Sequence, residues 1–230
     1  MGDWVEIKGK DGAFKAYVAK PAGTPKGAVV VIQEIFGVNA VMRGKADWLA
    51  REGFIAIAPD LFWRIQPGID ITDKTEAEWA QAFGYFKAFD VDQGVADIQA
   101  AIDAIRPQAG TGKVGAIGYC LGGLLAYLTG CRTNSDASVG YYGVSIEQRL
   151  EESHEATAPV MLHIAEKDAF VPADAQAAIR AGLANKQGFT LHFYADQDHA
   201  FTREGGQHYD AGAATLADGR TVAFLGQHLA

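Results

Sequence analysis

Cysteine is scarce in this chain, and long apolar runs are missing altogether. Two cysteines in 230 residues are too few for a disulfide framework. Cys120 and Cys131 fall on one helix-like run, which sets their Cα atoms ~16 Å apart at ~1.5 Å per residue. A disulfide spans less than about 7 Å, so both are expected as free thiols. No stretch reaches the ~18 apolar residues that cross a bilayer. Met1 to Lys10 contains no apolar segment of signal-peptide length, and a cytoplasmic location is the expectation. Basic residues are the minority, 20 Lys and Arg against 28 Asp and Glu, for a net charge of -8. That balance argues against nucleic acid, which rewards basic patches. Metal signatures are missing as well: no Cys-x2-Cys, no His-Glu-x2-His and no close carboxylate–histidine set. Nor does Gly-Lys-Ser/Thr follow any glycine turn, so no phosphate loop is indicated. No metal site is expected. There is no internal repeat and no low-complexity tract.

What remains is a chain that is 49% hydrophobic, enough for a sizeable core in one domain spanning 1–230. Trp4–Ile7 and Phe14–Ala19, joined by Gly9-Lys10-Asp11-Gly12, read as an antiparallel hairpin. Short β-branched runs then alternate with helical patterns. Strands are expected at Ala28–Gln33, Phe54–Ala58, Val114–Gly118, Ala137–Tyr142, Val160–Ala165 and Thr190–Tyr194. Helices are expected at Arg43–Arg51, Lys74–Phe89, Val95–Ile105, Ala173–Ala184, Gln207–Leu216 and Thr221–His228. Continuous apolar strands separated by helices define an α/β fold with a mostly parallel sheet covered on both faces. Gln66–Thr72, with its Pro-Gly pair, reads as an insertion over the site.

The most informative segment is Gly118-Tyr119-Cys120-Leu121-Gly122-Gly123. It joins the strand Val114–Gly118 to the helical run Leu124–Thr129. A sharp strand-to-helix turn through small residues lifts one side chain above the sheet, the geometry of a nucleophile elbow with cysteine in the usual place of serine. A sulfur at a helix N-terminus favours the thiolate. The α/β-hydrolase order places an acid and then a histidine later in the chain. Asp168 follows one late strand and His199 the next, both at carboxyl ends, where open α/β sheets gather ligands. Glu166 shares the turn with Asp168, and one of the two is expected to be a solvated surface acid. An oxyanion needs two donors, and the N–H groups of Leu121 and Ile35 occupy the expected places. Glu34, at the end of a buried strand, must find a partner or take up a proton. Beside Cys120 it could accept the thiol proton.

These pieces together resemble the dienelactone hydrolase family. The shared segments are Gln33-Glu34-Ile35-Phe36-Gly37, Pro59-Asp60-Leu61, Ala88-Phe89-Asp90, the elbow, Gly140-Tyr141-Tyr142-Gly143, Asp168 and Asp198-His199-Ala200-Phe201. They run in the family's order over nearly the whole chain. The resemblance implies an α/β-hydrolase fold and a Cys120–His199–Asp168 triad. It further implies an often monomeric cytosolic enzyme without a cofactor, and a Glu34 that shuttles the Cys120 proton when substrate enters. It implies a reaction as well: the opening of dienelactone, a carboxymethylenebutenolide, to maleylacetate in chloroaromatic degradation. The named enzymes bind the substrate carboxylate with two arginines. Arg203 matches one, Trp79 stands where the other falls, and Phe83 replaces a nearby tyrosine. Arg64 and Lys74 are the remaining cations that could substitute. Phe36, Trp79, Phe83, Tyr141 and Arg203 are the expected substrate-binding residues, while Tyr85, Phe86 and Phe89 read as core packing. Rival readings are a broad carboxylesterase or thioesterase, a cysteine peptidase, and an idle binding protein of this fold.

Overall fold

The computed structural model describes residues 2–230. Eight strands form one sheet in the order β1-β2-β4-β3-β5-β6-β7-β8. β1 (Asp3–Lys8) and β2 (Ala13–Ala19) form the hairpin, in a register that places Ile7 opposite Phe14. β2 then pairs antiparallel with β4 (Ile55–Pro59). From β4 onward every pairing is parallel, through β3 (Ala28–Ile32), β5 (Val114–Tyr119), β6 (Ala137–Tyr141), β7 (Val160–Ala165) and β8 (Phe189–Tyr194). All residues of β3 to β7 are buried, as continuous apolar runs in a two-sided parallel sheet must be.

Helices cover both faces. α1 (Ala40–Arg51) packs on β2, β3 and β4, and α6 (Ala211–Leu229) on β5, β6 and β7. An ion pair from Lys45 to Asp218 at 3.1 Å joins these two helices. α3 (Val91–Ile105) and α4 (Leu121–Arg132) pack on each other and on the central strands. α2 (Glu76–Ala88) precedes α3, and α5 (Ala173–Leu183) links β7 to β8. Among the described residues no helix is long and apolar enough to cross a membrane.

Caps explain where several helices begin. Asn39 accepts from the Met42 N–H, Thr75 from Glu78, and Asp210 from Ala213. Asp90 accepts from Asp92 and Gln93, so α3 starts at Val91 rather than Val95. The segments Gln207–Leu216 and Thr221–His228, expected as two helices, are corrected to the single helix α6. Its first turn waits for the Asp210 cap, and it runs unbroken through Gly219. A helical glycine costs only about 1 kcal/mol. The buried stripe of Ala214, Ala217, Thr221, Leu225 and Leu229 outweighs that penalty. A 3-10 segment at Ile146–Glu155 was not among the expected elements.

Candidate active site

The elbow is built by glycines that tolerate contact with neighbouring backbone. A Cβ on Gly118 would stand 1.8 Å from the Gly122 carbonyl oxygen, and one on Gly122 would stand 2.4 Å from that of Ile32. Strand β5 can therefore turn into α4 directly. Cys120 carries the strain, with φ 58° in the left-handed region. Its N–H is secured by the Tyr141 carbonyl at 3.1 Å. Leu121 is the first residue of α4, where a helix leaves its N–H groups without intrahelical partners.

Cys120 and His199 line one cavity of about 180 Å³, together with Ile35, Phe36 and Arg203. His199 Nδ1 lies 2.7 Å from Asp168 Oδ2, and both residues are buried. The second Asp168 oxygen accepts the Phe170 N–H at 2.8 Å, which fixes the carboxylate's orientation. Glu166 instead meets Arg180 at the surface. Burial works against a charged imidazole. The neighbouring Cys120 and the hydrogen bond to Asp168 outweigh it and push His199 up to about 10. The arrangement can hold a thiolate–imidazolium pair.

One expectation, the place of Tyr141, needs correction. Glu34 finds in Arg203 the partner that its burial calls for. Its oxygens receive Arg203 Nε at 2.9 Å and Nη2 at 2.8 Å in a bidentate fork. A carboxylate with 1% exposure needs such a partner, and Arg203 supplies it. Tyr141 is not at the substrate cavity. Its hydroxyl donates to Asp218 Oδ1 at 3.0 Å and lies 2.5 Å from Thr221 Oγ1, both on α6. The next residue, Tyr142, lies past the strand's end with φ 38° and turns toward the site. Its ring centroid is 5.1 Å from that of His199, and its hydroxyl is 3.1 Å from Thr202 Oγ1. Burial, reinforced by Glu34, holds the Tyr142 phenol protonated.

Arg203 reaches the cavity but is not free. Besides Glu34 it donates from Nη1 to Asp73 Oδ2 at 2.7 Å, and its guanidinium lies 5.1 Å from the Phe36 ring centre. Burial disfavours its charge, yet Glu34 more than compensates and keeps it cationic. Trp79 stands edge-on to Phe36 at 5.1 Å and stacks on Phe83 at 5.5 Å. Phe86, expected in the core, also lines the cavity, as do Phe170 and Ser145. Phe83, Phe86 and Phe170 are exposed. The mouth is thus aromatic. Of the other candidate cations, Arg64 is held by Asp97 and Asp11. Lys74 lines an adjoining cleft with Asp73 and His208. Asp73, Tyr142 and Phe170 were missed as individual site residues. Only the Tyr141-Tyr142 pair carried a signal, since neighbours at a strand's end point to opposite sides.

Fold and elbow together define the α/β-hydrolase class. Residues 14–229 match the Dienelactone hydrolase family, and the chain belongs to that family. It is 46% identical over 232 residues to a "Putative carboxymethylenebutenolidase" of Azospirillum brasilense, covering 96% of each chain. It is 40% identical over 227 residues to the carboxymethylenebutenolidase of Pseudomonas putida, covering 98% of this chain and 96% of that one. A crystal structure from Klebsiella pneumoniae subsp. pneumoniae, whose name as a dienelactone hydrolase carries the same qualifier, has a TM-score of 0.87. That structure is 26% identical, and the alignment covers 99% of this chain and 98% of its own.

Proposed function

We propose that this protein is a cysteine-dependent hydrolase that opens lactones of the carboxymethylenebutenolide type. The observation that carries the reading is the buried His199–Asp168 pair at 2.7 Å, whose imidazole lines the same cavity as Cys120. The names of its full-length relatives point to the same substrate. The Cys120 sulfur attacks the lactone carbonyl, a carbon–sulfur bond forms, and the ring carbon–oxygen bond breaks. The thiol proton resides on His199. The enolate leaving group is stabilised by conjugation and needs little protonation at the moment of cleavage. The departed enolate takes the proton from His199, and the neutral imidazole then deprotonates water. The hydroxide cleaves the thioester to a carboxylic acid, which loses its proton to solvent, and Cys120 is released as the thiolate beside the reprotonated His199. The N–H groups of Leu121 and Ile35 hold the oxyanion of each step. Glu34 is the alternative acceptor of the thiol proton, available only if its fork with Arg203 opens when substrate binds. All these groups come from one chain, which suits a monomeric enzyme.

Replacement of Cys120 by Ala tests the reading directly. Dienelactone hydrolysis, followed by ultraviolet absorbance, should fall by about 10³-fold or more. Undiminished turnover in that variant would exclude the proposed nucleophile. A second reading, a broad carboxylesterase, is favoured by one observation: the cavity mouth is aromatic, and its arginine is already paired. A panel of neutral aryl esters and thioesters beside dienelactone separates the two.

A further inference from the structure

Asp73 lies in the loop just before α2 and takes no part in the triad. Its side chain accepts from Arg203 Nη1 at 2.7 Å. Its backbone carbonyl accepts from the Trp79 indole Nε1 at 2.9 Å. One residue therefore holds both the cavity's guanidinium and one of its aromatic walls. Glu34 and Asp73 together place two carboxylates on one guanidinium, an excess of negative charge where an anionic substrate would dock. The two differ in grip. Glu34 makes two charge-assisted bonds and is 1% exposed on its side chain, whereas Asp73 makes one and is 17% exposed. A carboxylate arriving from solvent meets the outer, weaker contact first.

We propose that Asp73 is a specificity-determining residue, an internal competitor for the substrate's carboxylate at Arg203. An anionic lactone binds by displacing the Asp73 side chain from Nη1, exchanging one carboxylate for another, so the ion pair adds little net affinity. A neutral lactone or ester needs no such exchange and relies on the aromatic walls, which Trp79 keeps because its hydrogen bond runs to the Asp73 backbone. The chain thereby loses preference for acidic lactones without losing the ability to hydrolyse them. This inference rests on the hydrolytic reading of the cavity.

The test uses Asp73→Asn and Asp73→Ala with two arms. In the first, steady-state hydrolysis of the carboxymethylenebutenolide free acid is compared with that of its methyl ester. Asp73→Asn should lower KM for the acid about tenfold, with kcat and both constants for the ester within about twofold. In the second, calorimetric titration compares benzoate with benzamide, and only benzoate should bind about tenfold tighter. Asp73→Ala should behave alike if charge is the cause. Equal changes for acid and neutral ligands, or none for either, overturn the proposal. A wild-type protein that hydrolyses neither lactone refutes the hydrolytic reading, and the titration arm then decides the role of Asp73 alone.

Discussion

Cys131 is buried on α4, where burial pushes its thiol up to about 11, and its chemistry is that of a small apolar side chain. Cys120 shares the residue type but faces an imidazole that is held charged. The difference is testable by nuclear magnetic resonance of the His199 ring. It should titrate near pH 10 in the wild type and lower in Cys120→Ala, which removes the sulfur and leaves burial opposed by Asp168 alone. Identical titrations would sink the ion-pair picture. Stability follows the same sign. The His199 value is raised from 6.5 to about 10, so this group stabilises the fold fully below pH 6.5, and the contribution fades as pH rises through about 10. Asp168→Asn keeps the shape but lets the imidazole take the wrong tautomer. Its kcat should drop by about 10³ to 10⁴-fold with KM little changed. A fall of less than about tenfold would remove Asp168 from the orienting role. Cys120, Asp168 and His199 were legible as a proposed triad because their order along the chain and their places after strands can be read from the sequence. The Asp73 contact was not, since nothing near position 73 points to a partner 130 residues away.

At the scale of elements, two glycines of the same composition do opposite things. Gly122 lies in the first turn of a helix pressed against β3, and a Cβ there would meet the Ile32 carbonyl oxygen at 2.4 Å. Gly122→Ala should destabilise the protein by about 1–3 kcal/mol or more and distort the elbow. Gly219 lies in the exposed middle of α6, with nothing within 4 Å of the place a Cβ would take. Gly219→Ala should raise stability by about 0.5–1 kcal/mol, read as a higher Tm with unchanged turnover. A lower Tm would mean that α6 is bent there in solution. The strands were readable as buried runs, and their ends fall within a few residues of expectation. Helix α6 was not, because a glycine in a pattern looks like a stop until the sheet that holds both halves is known.

Across the whole molecule, a buried hydrogen-bonded chain ties α6 to the sheet. It runs from Lys45 through Asp218, Tyr141 and Thr221 to His163, with neighbouring atoms 2.5 to 3.1 Å apart. His163 continues it to the Tyr194 hydroxyl at 2.8 Å. Burial pulls His163 well below the ordinary histidine range, so it acts as a neutral link. Tyr141→Phe leaves buried polar groups without a partner and should cost about 1–3 kcal/mol in denaturant unfolding. Activity per folded molecule should stay within about twofold, since the hydroxyl faces α6 and not the substrate. A large loss of kcat would return Tyr141 to the active site.

The amino-acid pattern alone determined the parallel sheet, the glycine-built elbow and the order of sulfur, carboxylate and imidazole. Each depends on spacing between near neighbours, which steric rules and burial make legible. Only the tertiary structure decided which charges meet. Arg203 and Glu34 lie 169 residues apart and come together because β3 sits at the centre of the sheet while the loop after β8 folds back over it. Burial compels the Glu34 carboxylate to find a partner, so that partner is set by who shares its pocket, not by who stands beside it in the chain.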